Sequence, residues 1–138
     1  MKKIILVLTV ILISTNTLRA NNFNWSRVGS NVENDVFYLD KRSIFKVGKY
    51  HYYWSLIDNS KSNKGDETYQ SNITLNIANC NTFENKTVTY TSFKNNTGKG
   101  PVDIDIVVPD ESMEHFVWRK FTKNNTMYYV LKDVCKVR

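Results

Sequence analysis

The chain has 138 residues, 41% of them hydrophobic and 23% charged, and this length predicts one domain with one modest core. Its formal net charge of +6 at pH 7 favours polyanionic partners only weakly. The sequence has no Cys-x-x-Cys, no histidine pair at ligand spacing, no calcium-loop pattern and no glycine-rich phosphate loop. The sequence therefore contains none of the familiar motifs for binding a metal or a nucleotide, and we expect the protein to bind no metal and no cofactor.

Residues 1–20 have the pattern of a secretory signal peptide. Lys2 and Lys3 are followed by an apolar run over residues 4–13, and Ala20 ends a suitable cleavage site. Such a run is too short to span a bilayer, which takes roughly 20 residues. We therefore predict an exported domain of residues 21–138 with no stable membrane insertion after cleavage; an uncleaved anchor is the alternative. The residue directly after the predicted cleavage site is Asn21 and not a cysteine, so no lipid-modified N-terminus is expected.

Cleavage of the leader lowers the positive charge of the working protein. Three of the 19 basic residues (Lys2, Lys3 and Arg19) lie in the leader, which leaves 16 against 13 acidic residues, a net +3. Nucleic-acid binding typically shows a basic stripe interleaved with aromatic residues. In the aromatic stretch from Lys49 to Asp58, Lys49 is the only cation. We therefore predict no nucleic-acid partner.

Alternating apolar and polar residues predict short strands separated by polar or glycine-containing turns. In chain order the predicted strands occupy residues 25–28, 35–40, 49–58, 68–78, 83–93, 102–108 and 116–121, with a short extension at 43–46. The strongest is 49–58, where aromatic and β-branched residues predict a central strand covered at least partly on both faces. Strict alternation places two sets of side chains on opposite faces of this strand: Tyr50, Tyr52, Trp54 and Leu56 on one, and His51, Tyr53, Ser55 and Ile57 on the other.

The C-terminal segment predicts a helix. Asn124, Asn125 or Thr126 can serve as its N-cap. Apolar residues then recur at three- and four-residue spacing and define one face: Met127, Val130, Leu131, Val134 and Val137. One such helix cannot cover both faces of a sheet, so we expect a homodimer through a sheet edge or the uncovered face.

Cys80 and Cys135 are the only cysteines. In an exported protein the pair favours an intramolecular bond, with free thiols or an intermolecular bridge as alternatives. A bond between them would attach the helix to the sheet. The predicted fold class is α+β: an antiparallel sheet of about six strands with one C-terminal helix held to it by a disulfide.

An enzymatic function has little support in the sequence. A two-histidine nuclease would have to use His51 and His115, the only histidines. His51 lies in the aromatic strand and His115 beside Glu114 in an acidic turn, so structural roles are preferred for both. No Gly-x-Ser-x-Gly nucleophile motif occurs. We predict that the protein is not an enzyme, and a small secreted hydrolase is the least favoured alternative.

A series of landmark residues extends along the chain from Trp25 to Cys135. They are Trp25, Tyr38-Leu39-Asp40, Ser43-Ile44, Gly48, Trp54, Ser71, Cys80, Tyr90, Gly98, Gly100, Trp118 and Cys135. In their order and spacing these landmarks resemble the surface-adhesin protein E domain family of Gram-negative bacteria.

This resemblance implies an exported protein with an antiparallel sheet and a terminal helix, joined by a Cys80–Cys135 disulfide. It implies a non-enzymatic, adhesin-like function, since the founding member binds host extracellular-matrix and plasma proteins such as vitronectin and laminin. The landmarks are structural, so the resemblance assigns no binding residues. The expected location is the periplasm or the cell surface and exterior. The alternative function is a soluble periplasmic accessory or inhibitor protein without a host ligand.

Overall fold

The computed structural model describes residues 23–63, 69–107 and 117–138. The predicted leader and His115 lie outside these ranges. The described elements are eight strands and one α-helix, with a short 3-10 turn at Lys41–Ser43 and another at Asn96–Gly98. In chain order they are β1 (Trp25–Ser30), β2 (Val36–Asp40), β3 (Phe45–Val47), β4 (Tyr50–Asp58), β5 (Ser71–Asn79), β6 (Glu84–Phe93), β7 (Val102–Val107), β8 (Arg119–Lys120) and α1 (Thr126–Val134).

All eight strands belong to one antiparallel sheet. Its main path runs β1-β2-β4-β5-β6-β7, while β3 adds to β4 and β8 adds to β6. The aromatic strand β4 pairs with β5 along its whole length and, on its other edge, with β3 at its start and β2 at its end, which confirms its predicted central position. The predicted fold class is confirmed: six strands form the main path, and the short strands β3 and β8 bring the described sheet to eight.

The helix α1 covers one end of one sheet face. Its N-cap is Asn125, whose side-chain oxygen accepts a hydrogen bond from the backbone N–H of Met127. Residues from both the helix and the sheet form the fully buried core: Leu39, Tyr53, Ala78, Val130, Leu131 and Val134. Cys135 ends the helix and forms a disulfide with Cys80, just beyond β5, with Cα atoms 5.6 Å apart. The predicted attachment of helix to sheet is thus confirmed.

Several sequence predictions about element limits differ from the structure, including those for β1, the last strand and the helix. Strand β1 continues to Ser30 rather than ending at Val28, because a bulge after Arg27 lets the chain pass Gly29 and keep pairing with β2. The last strand is limited to Arg119–Lys120, which pairs only with the start of β6. Val137 follows the end of the helix and is exposed, so it does not extend the apolar stripe.

The described residues include no helix that is both long enough and apolar enough to cross a membrane.

Candidate functional site

The pleat of β4 separates two chemically different surfaces of the sheet. His51, Tyr53 and Ser55 point to the side that α1 covers, which we call the helix face. Tyr50, Tyr52 and Trp54 point to the opposite side, as their alternation predicted. We call the opposite surface the aromatic face and define it by seven rings: Phe23, Trp25, Phe45, Tyr50, Tyr52, Trp54 and Trp118.

The rings of the aromatic face contact one another in three groups. Phe23 lies between two tryptophans, with ring centroids 4.7 Å from Trp25 and 5.4 Å from Trp54. The other contacts are stacks that bring rings from different parts of the chain together: Phe45 with Tyr52 at 5.1 Å and Tyr50 with Trp118 at 5.7 Å. Aromatic pairs at these separations stabilise a sheet surface and hold the rings in fixed positions.

The aromatic face is accessible over much of its area. Phe45 is 52% exposed and Trp118 is 40% exposed, and none of the seven rings is fully buried. One end of the same sheet face is closed by the turn that contains Gly98. This turn packs on Leu56 and Ile73, and its backbone bonds to the hydroxyl of Ser71. The seven rings lie outside this closed end and form an apolar surface. Aromatic residues of this kind are enriched in protein interfaces.

The helix face has a polar centre. Four side chains from β4, β5 and β6 join in one hydrogen-bonded group, which we call the polar floor: Ser55, Thr74, Asn76 and Thr87. The amide nitrogen of Asn76 donates to the hydroxyls of Ser55 and Thr74, each at 2.9 Å. The amide oxygen of Asn76 accepts from Thr87, also at 2.9 Å. Burial of so many polar groups is tolerated because each has a partner.

A cavity of about 480 Å³ lies above the polar floor, between the sheet and the start of α1. Rings and apolar side chains from several elements form its walls, among them Phe37, Ile57, Tyr69, Tyr90, Phe121 and Met127. Burial, followed by electrostatic interactions with Tyr69 and Asp103, raises the pKa of Tyr90 to about 12. Tyr90 is a neutral wall residue near pH 7.

Arg119 is the one charged side chain among the described residues that line this cavity. Its guanidinium lies 5.4 Å from the centroid of the Phe121 ring, a cation–π geometry. The capping residue Asn125 places the N-terminus of α1 at the same cavity. A helix N-terminus carries a partial positive charge, so both features give the cavity a positive potential.

His51 has a structural role in the fold. Its Nε2 atom lies 3.0 Å from the carbonyl oxygen of Val137, and its Nδ1 atom lies 3.3 Å from the Sγ atom of Cys80. Both ring nitrogens thus contact groups of the protein, and His51 is buried. Across the described ranges, no cluster of three or more metal-ligating side chains occurs.

Sequence reasoning did not identify the polar floor or Arg119. Strict alternation along β6 would place Thr87 and Tyr90 on opposite faces, but both line the cavity. A β-bulge causes the difference: Leu75 pairs with Thr89 and the next residue pairs with Thr87, so Val88 is an extra residue. The available signal was the run of polar residues on one face of β5, Asn72, Thr74 and Asn76.

Comparison with known proteins agrees with this architecture. The family model described as surface-adhesin protein E matches residues 25–136. A structure of Haemophilus influenzae protein E has a TM-score of 0.56 and 15% identity, covering 85% of this chain and 87% of that chain. The selenomethionine form of the same protein has a TM-score of 0.57 and 15% identity, covering 86% of this chain and 90% of that chain. Its crystal form II has a TM-score of 0.56 and 17% identity, covering 80% of this chain and 90% of that chain. At such low identity these structures show a shared fold alone. No curated protein sequence matches the chain significantly.

Proposed function

The chain belongs to the surface-adhesin protein E family, and from this premise we propose that it is an exported, non-enzymatic binding protein that attaches to host matrix or plasma proteins through its aromatic face. The family supports the adhesin-like class and a protein partner. The choice of surface comes from the structure of this chain.

The aromatic face is the observation that carries the proposal. Tyr and Trp rings provide large contact area with little loss of conformational entropy, and they are enriched among residues that dominate binding energy. Phe45 and Trp118 are the most exposed rings of this face, and each stacks on a ring of β4. A partner would therefore meet a surface that is ordered before binding, which reduces the entropic cost of association.

The state of His51 supports a non-enzymatic role. A general acid or base must reach a substrate proton, but both nitrogens of this buried ring contact groups of the protein itself. A nuclease mechanism that uses both histidines would need His51 as a general acid or base, and the contacts of His51 leave it unavailable for that role.

Binding to immobilised vitronectin and laminin, measured by surface plasmon resonance, tests the proposal. The double variant Phe45→Ser/Trp118→Ser removes the two most exposed rings of the aromatic face, and we expect affinity to fall about tenfold or more. Tyr129→Ser is the matched control, because Tyr129 is 45% exposed and lies on α1, away from the aromatic face. Absence of binding by the wild type would contradict the class of ligand. Unchanged binding by the double variant would contradict the surface.

The expected homodimer is tested on the same samples by light scattering at micromolar concentration. A monomer mass would contradict it. A dimer that the double variant converts to monomers would assign the aromatic face to self-association instead of to a host protein.

Protease treatment of intact cells, followed by antibody detection of this chain, tests the proposed surface location. Loss of the signal from intact cells is the expected result. Survival of the signal until the outer membrane is opened would confine the chain to the periplasm and favour the accessory-protein alternative.

A further inference from the structure

We propose that the cavity on the helix face binds a saccharide that carries a carboxylate, such as a uronic acid. This site lies across the sheet from the aromatic face and goes beyond the proposed function. Three properties of the cavity support the assignment: its size and composition, the hydrogen-bonding capacity of its floor, and the sign of its charge.

The cavity has the size and the mixed lining that a sugar needs. Its volume of about 480 Å³ falls within the range of about 300–1,000 Å³ typical of small-molecule sites. A sugar ring presents apolar C–H faces and hydroxyl edges at once. The walls offer rings such as Tyr90 and Phe121 for the C–H faces, and the polar floor offers hydroxyl groups for the hydroxyl edges.

The hydrogen bonds of the polar floor leave capacity for a ligand. Ser55 and Thr74 share a single bond at 2.9 Å, in which one hydroxyl donates and the other accepts. Each hydroxyl also accepts from Asn76, so one of their two hydroxyl protons has no acceptor among the described residues. Thr87 donates its proton to Asn76 and keeps acceptor lone pairs. The floor therefore holds one donor without a partner, within the buried Ser55–Thr74 pair, and acceptor lone pairs on the partly exposed Thr87.

The charge of the cavity selects an anionic sugar over a neutral one. The described lining residues include Arg119 but no Asp or Glu, and Arg119 has no ion pair within the described part of the chain. Its guanidinium is the side chain best suited to a planar carboxylate, which it binds through two parallel hydrogen bonds. The N-terminus of α1 adds positive potential at the same cavity.

Titration calorimetry with methyl β-D-glucuronide and methyl β-D-glucoside tests this assignment, because the two probes differ only in the carboxylate. We expect the glucuronide to bind at least about tenfold more tightly than the glucoside, as one charge-assisted contact would provide. Arg119→Gln should reduce glucuronide affinity to that of the glucoside. Lys120→Gln is the matched control, since Lys120 is the next residue, exposed and directed to the opposite face, and it should bind as the wild type does.

Chemical-shift mapping of the wild-type protein provides a second measurement that does not depend on a variant. The glucuronide should shift amide signals around Asn76, Thr87 and Arg119 and leave those around Phe45 and Tyr52, on the aromatic face, unchanged. Equal affinity for both probes, no binding at millimolar glucuronide, or shifts confined to the aromatic face would each overturn the proposal. The Phe45→Ser/Trp118→Ser variant should retain glucuronide binding, so failure of this site and failure of the proposed function are distinguishable.

Discussion

The Nε2 atom of His51 lies 3.0 Å from the carbonyl oxygen of Val137, which connects the central strand to the C-terminal segment beyond α1. A carbonyl oxygen can only accept, so Nε2 carries the proton. In the neutral ring the unprotonated Nδ1 then faces the Sγ atom of Cys80 at 3.3 Å. One buried side chain thus contacts both the disulfide and the last residues of the chain.

Replacement of His51 is expected to destabilise the protein through this contact. His51→Ala removes a buried ring together with its bond to the carbonyl of Val137, and should lower the free energy of unfolding by about 1–3 kcal/mol. His51→Gln retains an amide donor and should recover part of the loss. Urea denaturation of both variants measures the difference. Equal stability of the wild type and His51→Ala would show that the contact contributes nothing.

The disulfide is expected to contribute more than any single hydrogen bond. Cys80 and Cys135 are 55 positions apart, and loop-closure entropy for a loop of this length gives about 4 kcal/mol as an upper value. The Cys80→Ser/Cys135→Ser variant should therefore have a markedly lower urea midpoint. Alkylation without reductant, followed by intact-mass measurement, should add no label to the wild type. Two labelled thiols would contradict the bond.

The sequence was sufficient to predict β4 and α1 because both depend on local composition. It was sufficient to predict the disulfide because an exported protein with two cysteines usually joins them. An aromatic and β-branched run such as Tyr50–Asp58 is favourable as a strand in almost any sheet. The N-cap of α1 is likewise set by Asn125 and its immediate neighbours. These features need no knowledge of what packs against them.

The polar floor could not be predicted because it depends on register between strands. The bulge opposite Leu75 and Asn76 adds Val88 to β6 and thereby turns Thr87 toward Asn76. Alternation within one strand gives no sign of such an insertion. Arg119 was missed for a related reason: β8 has only two residues, and its position follows from pairing with Asn85.

Asn76 is expected to be the most sensitive residue of the polar floor. It is almost completely buried and bonds to Ser55, Thr74 and Thr87. Asn76→Ala should lower the free energy of unfolding by about 3 kcal/mol, because three buried partners lose a bond at once. Asn81→Ala, at an exposed position, should change stability by less than about 0.5 kcal/mol. Thermal unfolding followed by circular dichroism compares them, and similar losses would contradict the role of Asn76.

Gly98 is expected to tolerate substitution less well than Gly48. Both have positive φ, +71° and +58°, so alanine strains the backbone by about 1 kcal/mol at either site. At Gly98 an added Cβ would also lie 2.7 Å from Cδ1 of the buried Ile73, whereas at Gly48 nothing lies within 4 Å. Gly98→Ala should therefore lose at least about 1 kcal/mol more than Gly48→Ala. Equal losses in urea denaturation would mean that the turn moves away from the sheet without cost.

Tyr53 is expected to make stability fall at alkaline pH. Burial raises the pKa of Tyr53, and its hydroxyl donates to Oδ1 of Asn85 at 2.6 Å. An unfolded tyrosine loses its proton near pH 10, so above this pH the folded state holds more protons than the unfolded state. The free energy of unfolding therefore keeps its full value below about pH 10 and decreases as the pH rises further.

Tyr53→Phe should flatten this decrease, while costing about 1–3 kcal/mol near pH 7 because Asn85 loses its donor. Tyr90, with a pKa raised to about 12, should leave a smaller alkaline dependence in the variant. Tyr129→Phe is the matched control, since Tyr129 is exposed on α1. Urea denaturation at intervals between about pH 8 and 11 measures the slopes. Parallel curves for the wild type and Tyr53→Phe would assign the alkaline loss to other groups.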